Sequence, residues 1–218
     1  MVDLPLLGRT NQAFPKTWVR PRPGTPSGEL NPQQALRDLL KFAIEQHLPI
    51  DVSIQPALIG GQIRSEDFIS ISRSRTDYTV ATDHTHAVTL VQAHLIETLS
   101  AIGREKIDFY FLRVQRAAEE FQISGVLEAL EMARQEGHIG YVGLACDGPS
   151  LASLNLWQFH DAFDAVLIPD DVSFDTLAPL AVERRVGVVI DGAWRHSDGP
   201  RIIAASSIDE LQALEANP

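Results

Sequence analysis

The chain of 218 residues has a single cysteine, Cys146. One thiol excludes an internal disulfide and a cysteine-based zinc cage, and it fits a reducing compartment. Positive charge is also scarce, since 18 Lys and Arg face 29 Asp and Glu, for a net charge of −11 and a pI near 5.0. Such a surface repels a phosphate backbone, so nucleic acid is not an expected partner. No apolar run is long enough to span a bilayer, and the opening Met1-Val2-Asp3-Leu4-Pro5 brings no basic segment followed by an apolar stretch. Neither a membrane nor a secretory route is therefore expected, and the expected location is the cytoplasm. There is no glycine-rich turn between a strand and a helix, which counts against a dinucleotide-binding open sheet. Histidines cluster only at Asp83-His84-Thr85-His86. Residues two apart diverge on a helix and no further ligand accompanies them, so Asp83 is expected as a helix cap and no metal is expected.

What is present fits one globular domain: 44% apolar and 22% charged residues, with 14 Gly and 13 Pro. Short apolar runs alternate with longer helical patterns, the arrangement of βαβ units around a parallel sheet. The strand runs are Pro49–Ile54, Asp67–Ser72, Asp108–Val114, Gly140–Cys146, Phe163–Pro169, Val186–Ile190 and the shorter Arg201–Ala205, with Leu4–Arg9 as a weak eighth. Most are apolar at consecutive positions, as strands buried on both faces should be. Helical periodicity predicts Pro32–Gln46, Asp83–Ile102, Gly125–Gln135, Ser150–His160, Asp175–Arg184 and a last helix from Ser207 to near Ala216. The expected fold is a compact α/β (β/α)8 barrel covering 1–218. It has a proline-rich irregular arm at 19–32, and only Asp191–Pro200 in place of a full helix between the last two strands.

The run Glu105-Lys106-Ile107-Asp108-Phe109-Tyr110-Phe111-Leu112, preceded by Glu97-Thr98-Leu99-Ser100-Ala101-Ile102-Gly103, resembles the aldo-keto reductase pattern "leeSLkrLgtdyiDlyllH". Leu127-Glu128-Ala129-Leu130 through Gly137-His138-Ile139-Gly140-Tyr141-Val142-Gly143-Leu144 is similar to "eaLeelveeGkiryiGvSn", and Ala204-Ala205-Ser206-Ser207-Ile208-Asp209-Glu210-Leu211 to "pGasspeqL". The resemblance implies a (β/α)8 barrel and NADPH-dependent carbonyl reduction by a Tyr acid, a Lys and an Asp that tune it, and a His that polarises the carbonyl. On this chain the Asp falls on Asp51, but the Tyr falls on Pro56, the Lys on Arg73 and the His on Arg113. Proline has no ionisable group, and an arginine cannot exchange a proton near neutrality. Tyr78 is the one nearby phenol that could substitute.

The positions that the resemblance assigns to the cofactor are changed as well. Ala145-Cys146 stand where Ser-Asn would hold the nicotinamide amide, Leu167 where a Gln would, and Asp191 where an aromatic would stack on the ring. Ser206–Gln212, the expected phosphate segment, has no basic residue and carries Asp209-Glu210. No cofactor is therefore expected. Strand ends on one face of the barrel gather Asp51, Arg73, Arg113 and Asp191, with Tyr78 and Trp194 on adjoining loops, as the candidate pocket. Arg73 and Arg113 there either grip a small anion between two guanidiniums or pair with Asp51 and Asp191 in a salt-bridge network.

Three functions stay open on the sequence. The first is a barrel that has lost reduction and acts as a binding, regulatory or scaffold protein with a protein partner or as a homo-oligomer, as some non-catalytic members of that family do. The second is a non-redox cyclase, isomerase or lyase using Asp51 as base. The third is a divergent NADPH-dependent oxidoreductase.

Overall fold

The structure, a computed structural model, describes residues 6–24, 31–63, 67–171, 176–192 and 199–216. Eight strands among them close a parallel barrel in chain order: β1 Thr17–Pro21, β2 Ile50–Asp51, β3 Ser70–Arg73, β4 Ile107–Val114, β5 Ile139–Cys146, β6 Ala165–Pro169, β7 Gly187–Asp191 and β8 Arg201–Ala205. The ring closes where β8 lies beside β1, with Thr17 opposite Arg201 and Pro21 opposite Ala205. The helices are α1 Pro32–Glu45, α2 Pro56–Ile63, α3 His84–Ile102, α4 Glu120–Gln135, α5 Ser150–Phe159, α6 Leu177–Glu183 and α7 Ile208–Ala216.

Local signals account for most boundaries. Asn31 caps α1, its side chain accepting from Gln33 N at 3.0 Å, with Pro32 in the first turn. Asp83 caps α3 by accepting from His86 N at 2.8 Å, and Gly103 ends it in the left-handed region at φ 71°. Helix α4 starts at Glu120, one turn before the expected Gly125. A Cβ on Gly125 would lie 2.5 Å from His84 O, so this glycine is a close contact between α3 and α4 within the helix.

Three expectations need correction. The eighth strand is not Leu4–Arg9. Leu6 instead makes an antiparallel bridge to Ala13, and Gly8–Thr10 is a 3-10 turn. Leu7 and Phe14 from this segment join the apolar interior at the N-terminal end of the barrel. The missing strand is β1, so Val19–Pro21 belong to the sheet and not to an irregular arm, and Pro32 belongs to α1. Helix α2 had no sequence signal, because Gly60 and Gly61 lower its helix propensity. Its place is set by packing: a Cβ on Gly60 would lie 2.5 Å from Ala101 O on α3. The expected lack of a helix between β7 and β8 turns on a connection whose residues 193–198 lie outside the described ones.

The barrel has two apolar layers. Outward strand residues pack on the helices, while Trp18, Ile71, Phe109, Phe111, Ala145, Leu167, Val189 and Ile202 fill the interior. Phe109 lies at the lower end of this interior, 5.1 Å from Phe14 and 4.9 Å from Tyr141 between ring centroids.

Candidate functional site at the barrel mouth

The two-residue period of a strand carries the apolar interior directly into a charged layer. Two positions beyond Trp18, Ile71, Phe111, Ala145 and Val189 stand Arg20, Arg73, Arg113, Asp147 and Asp191, all at the C-terminal ends of their strands. With Asp51 from the end of β2, these form one continuous chain of ion pairs. Arg20 Nε donates to Asp51 Oδ2 at 2.7 Å and Arg20 Nη1 to Asp191 Oδ1 at 2.7 Å. Arg73 Nη1 donates to Asp191 Oδ2 at 2.8 Å and reaches Asp147 Oδ1 at 3.5 Å, while Arg113 Nε donates to Asp147 Oδ2 at 2.6 Å.

The chain is graded in depth. Side-chain exposure is 0% at Asp51, 15% at Arg73 and 33% at Arg113. At the deep end both oxygens of Asp51 are engaged: Oδ2 by Arg20, and Oδ1 by Ser53 N at 2.9 Å and by the Ser53 hydroxyl. That hydroxyl also accepts from Arg73 N at 2.7 Å, which ties β2 to β3. Burial alone would raise the Asp51 pKa, but the nearby Arg20 and Arg73 guanidiniums outweigh it and hold the carboxyl below the usual carboxylate range. Burial also opposes the charge on Arg20, and Asp51 and Asp191 more than offset it, so Arg20 is held charged.

Four of the sequence-derived candidates, Asp51, Arg73, Arg113 and Asp191, are thus brought together. Two are not. Tyr78 lies in a 3-10 turn, Tyr78–Val80, enclosed in the layer that packs on α3 and α4. Its hydroxyl has no hydrogen-bond partner among the described residues, and burial pushes its pKa up to about 12. Trp194 lies outside the described residues. Cys146 faces away from the mouth into the helix-packed layer, and burial pushes its thiol up to about 12.

Sequence reasoning missed the central residue. Arg20 links two carboxylates, and it was hidden in a segment read as an arm. The signal that could have found it is its place two residues after Trp18 in a run with strand alternation.

The other two phenols are also away from the mouth. Tyr110 is fully buried and its hydroxyl lies 2.8 Å from His94 Nδ1, while Tyr141 belongs to the N-terminal end of the barrel. Beside the charged layer a cleft of about 200 Å³ is bounded by Ser53, Ile54, Arg73, Ser74, Arg75, Arg113 and Asp147. No cluster of three or more His, Cys, Asp or Glu side chains suited to a metal occurs among the described residues. No helix among them is long and apolar enough to cross a membrane.

The fit of a nicotinamide dinucleotide phosphate can be tested on the residues where the resemblance would seat it. Ala145 and Leu167 are apolar members of the barrel interior and offer no side-chain donor to an amide. At the start of α7, Ser206 N and Ser206 Oγ donate to Glu210 Oε2 at 2.8 and 2.7 Å, and Arg22 pairs with the same carboxylate group. The Ser206 donors are already satisfied by an internal acid, so these residues do not fit the group.

No family model matches the sequence, and no curated protein is similar to it in sequence. Solved structures do match in shape. A candidate aldo-keto reductase from Pseudomonas aeruginosa superposes with a TM-score of 0.72 at 14% identity, covering 99% of this chain and 95% of that one. An aldo-keto reductase from Bacillus halodurans in its apo form gives 0.70 at 16%, covering 96% and 88%. One from Klebsiella pneumoniae, in complex with NADPH, gives 0.68 at 17%, covering 99% and 90%. The chain therefore has the (β/α)8 barrel fold of the aldo-keto reductases.

Proposed function

We propose that this chain is an aldo-keto-reductase-like barrel that does not carry out NADPH-dependent carbonyl reduction and acts instead as a binding protein, in a regulatory or scaffold role. The observation that carries this reading is the state of Asp51. Where the family places an acid tuned by an Asp, this carboxylate is enclosed and bonded at both oxygens by Arg20 and Ser53, and all three phenols of the chain lie elsewhere. Among the described residues no phenol stands beside the mouth to protonate a developing alkoxide.

The same observation disfavours a non-redox enzyme with Asp51 as base, because a buried carboxylate with a lowered pKa is a poor proton acceptor. Two kinds of partner suit the molecule. Unspent guanidinium donors at the mouth favour a small anion. An apolar groove of about 480 Å³, lined by Leu6, Ala178, Val182, Val186, Val188 and Pro200, supports a protein partner or a second copy of the chain. The surface charge disfavours nucleic acid. The test is NADPH consumption with a panel of aldehydes and ketones: no turnover above buffer is expected, and turnover that tracks the purified protein would overturn the proposal.

A further inference from the structure

We infer that the cleft beside the charged layer is a binding site for a small organic carboxylate, with Arg75 as its anchoring cation. The inference rests on the binding-protein reading and names the ligand class for it.

Among the arginines of the mouth, Arg73 bridges two carboxylates. Its Nη1 serves Asp191 and Asp147, and its backbone N–H serves Ser53. Arg113 commits only Nε, to Asp147. Arg75 differs from both: it is exposed, it lines the cleft, and its guanidinium has no ion pair among the described residues. Its backbone is nevertheless pinned, because Arg75 N donates to His94 Nε2 at 3.1 Å, and the other ring nitrogen lies 2.8 Å from the buried Tyr110 hydroxyl. The cleft therefore presents an unspent fork on a fixed loop, which lowers the ordering cost of binding.

Charge and shape select the ligand class. The uncommitted guanidinium groups of Arg75 and Arg113 suit an anionic head group. Ile54, 46% exposed, gives the cleft an apolar wall that an inorganic ion cannot use and a short carbon chain can. A cleft of about 200 Å³ has room for a molecule of a few carbons, at roughly 30 Å³ for each water displaced. Arg75 and the free Nη groups of Arg113 would take the two carboxylate oxygens.

The test is calorimetric titration at constant ionic strength with propionate, its neutral isostere propionamide, and inorganic phosphate. Saturable propionate binding is expected, with propionamide and phosphate each at least about tenfold weaker. Arg75→Gln should weaken propionate about tenfold or more, while Arg134→Gln on the far face should not. Absence of saturable propionate binding overturns the site. Phosphate binding as tight as propionate overturns the carboxylate class, and an unchanged Arg75→Gln overturns the anchor. NADPH titrated into the same sample separates the two proposals. If neither NADPH nor propionate binds, the carboxylate site alone fails; if NADPH binds saturably, the non-reductase reading fails.

Discussion

Arg20 donates to Asp51 across 2.7 Å at the deep end of the barrel mouth, where the aspartate side chain has no contact with solvent. Through its second arm Arg20 also holds Asp191, so one guanidinium fixes the ends of β1, β2 and β7. Removing it leaves a buried carboxylate uncompensated. Arg20→Ala is expected to cost about 3–5 kcal/mol, and Arg113→Ala at the exposed end about 1 kcal/mol or less. Urea midpoints of the two variants check this, and equal losses would contradict the graded network.

His94 gives a pH dependence with a definite sign. Burial, the main cause, holds its folded pKa below 6.5, so as the pH falls the unfolded chain takes up a proton first. Stability is therefore at its plateau above pH 6.5 and declines below it, towards the lowered folded pKa. His94→Gln removes the titrating group, so its denaturation midpoint should change less than that of the wild type between pH 7 and pH 6. Parallel curves for the two proteins would show that His94 does not contribute.

Gly143 on β5 is expected to reject a methyl group. An ideal Cβ there would lie 2.2 Å from a Phe111 ring carbon in the packed interior, whereas one on Gly61 of α2 meets nothing within 4 Å. Gly143→Ala should destabilise by about 1–3 kcal/mol through overpacking. Gly61→Ala should stabilise by up to about 1 kcal/mol through helix propensity. Thermal melts of both variants decide this, and a neutral Gly143→Ala would mean the ring can move aside.

Cys146 should be inert in the folded protein. Its thiol is buried and pushed up to about 12, so little thiolate exists at neutral pH. Alkylation by iodoacetamide is expected to begin only at denaturant concentrations that unfold the barrel. Rapid labelling of the native protein would contradict this placement.

Much of the barrel was legible because parallel strands buried on both faces read as continuous apolar runs; Arg201–Ala205 has the bounds that its sequence suggested. Strand β1 was not legible because Arg20 and Pro21 interrupt its apolar character and a proline-rich stretch follows. Arg20 owes its place in the barrel to Asp51 and Asp191, partners 31 and 171 residues away, which no local pattern displays. The sequence left Arg73 and Arg113 either as two arms on a small anion or as partners of Asp51 and Asp191; the folded chain pairs Arg73 with Asp191, engages both arginines with Asp147, and leaves Arg75 without an ion pair among the described residues. Asp51 was legible because it ends a buried strand whose apolar run is set locally. Its pairing with Arg20 was not.

The central claim is that this barrel has given up the nicotinamide cofactor along with the phenol acid. Titration of the purified chain with NADPH, followed by cofactor fluorescence, tests it most directly. The account predicts no saturable change up to millimolar cofactor, because Glu210 already satisfies the donors at Ser206 and the interior offers Ala145 and Leu167 in place of amide partners. A saturable isotherm, abolished by unlabelled NADP+, would contradict it.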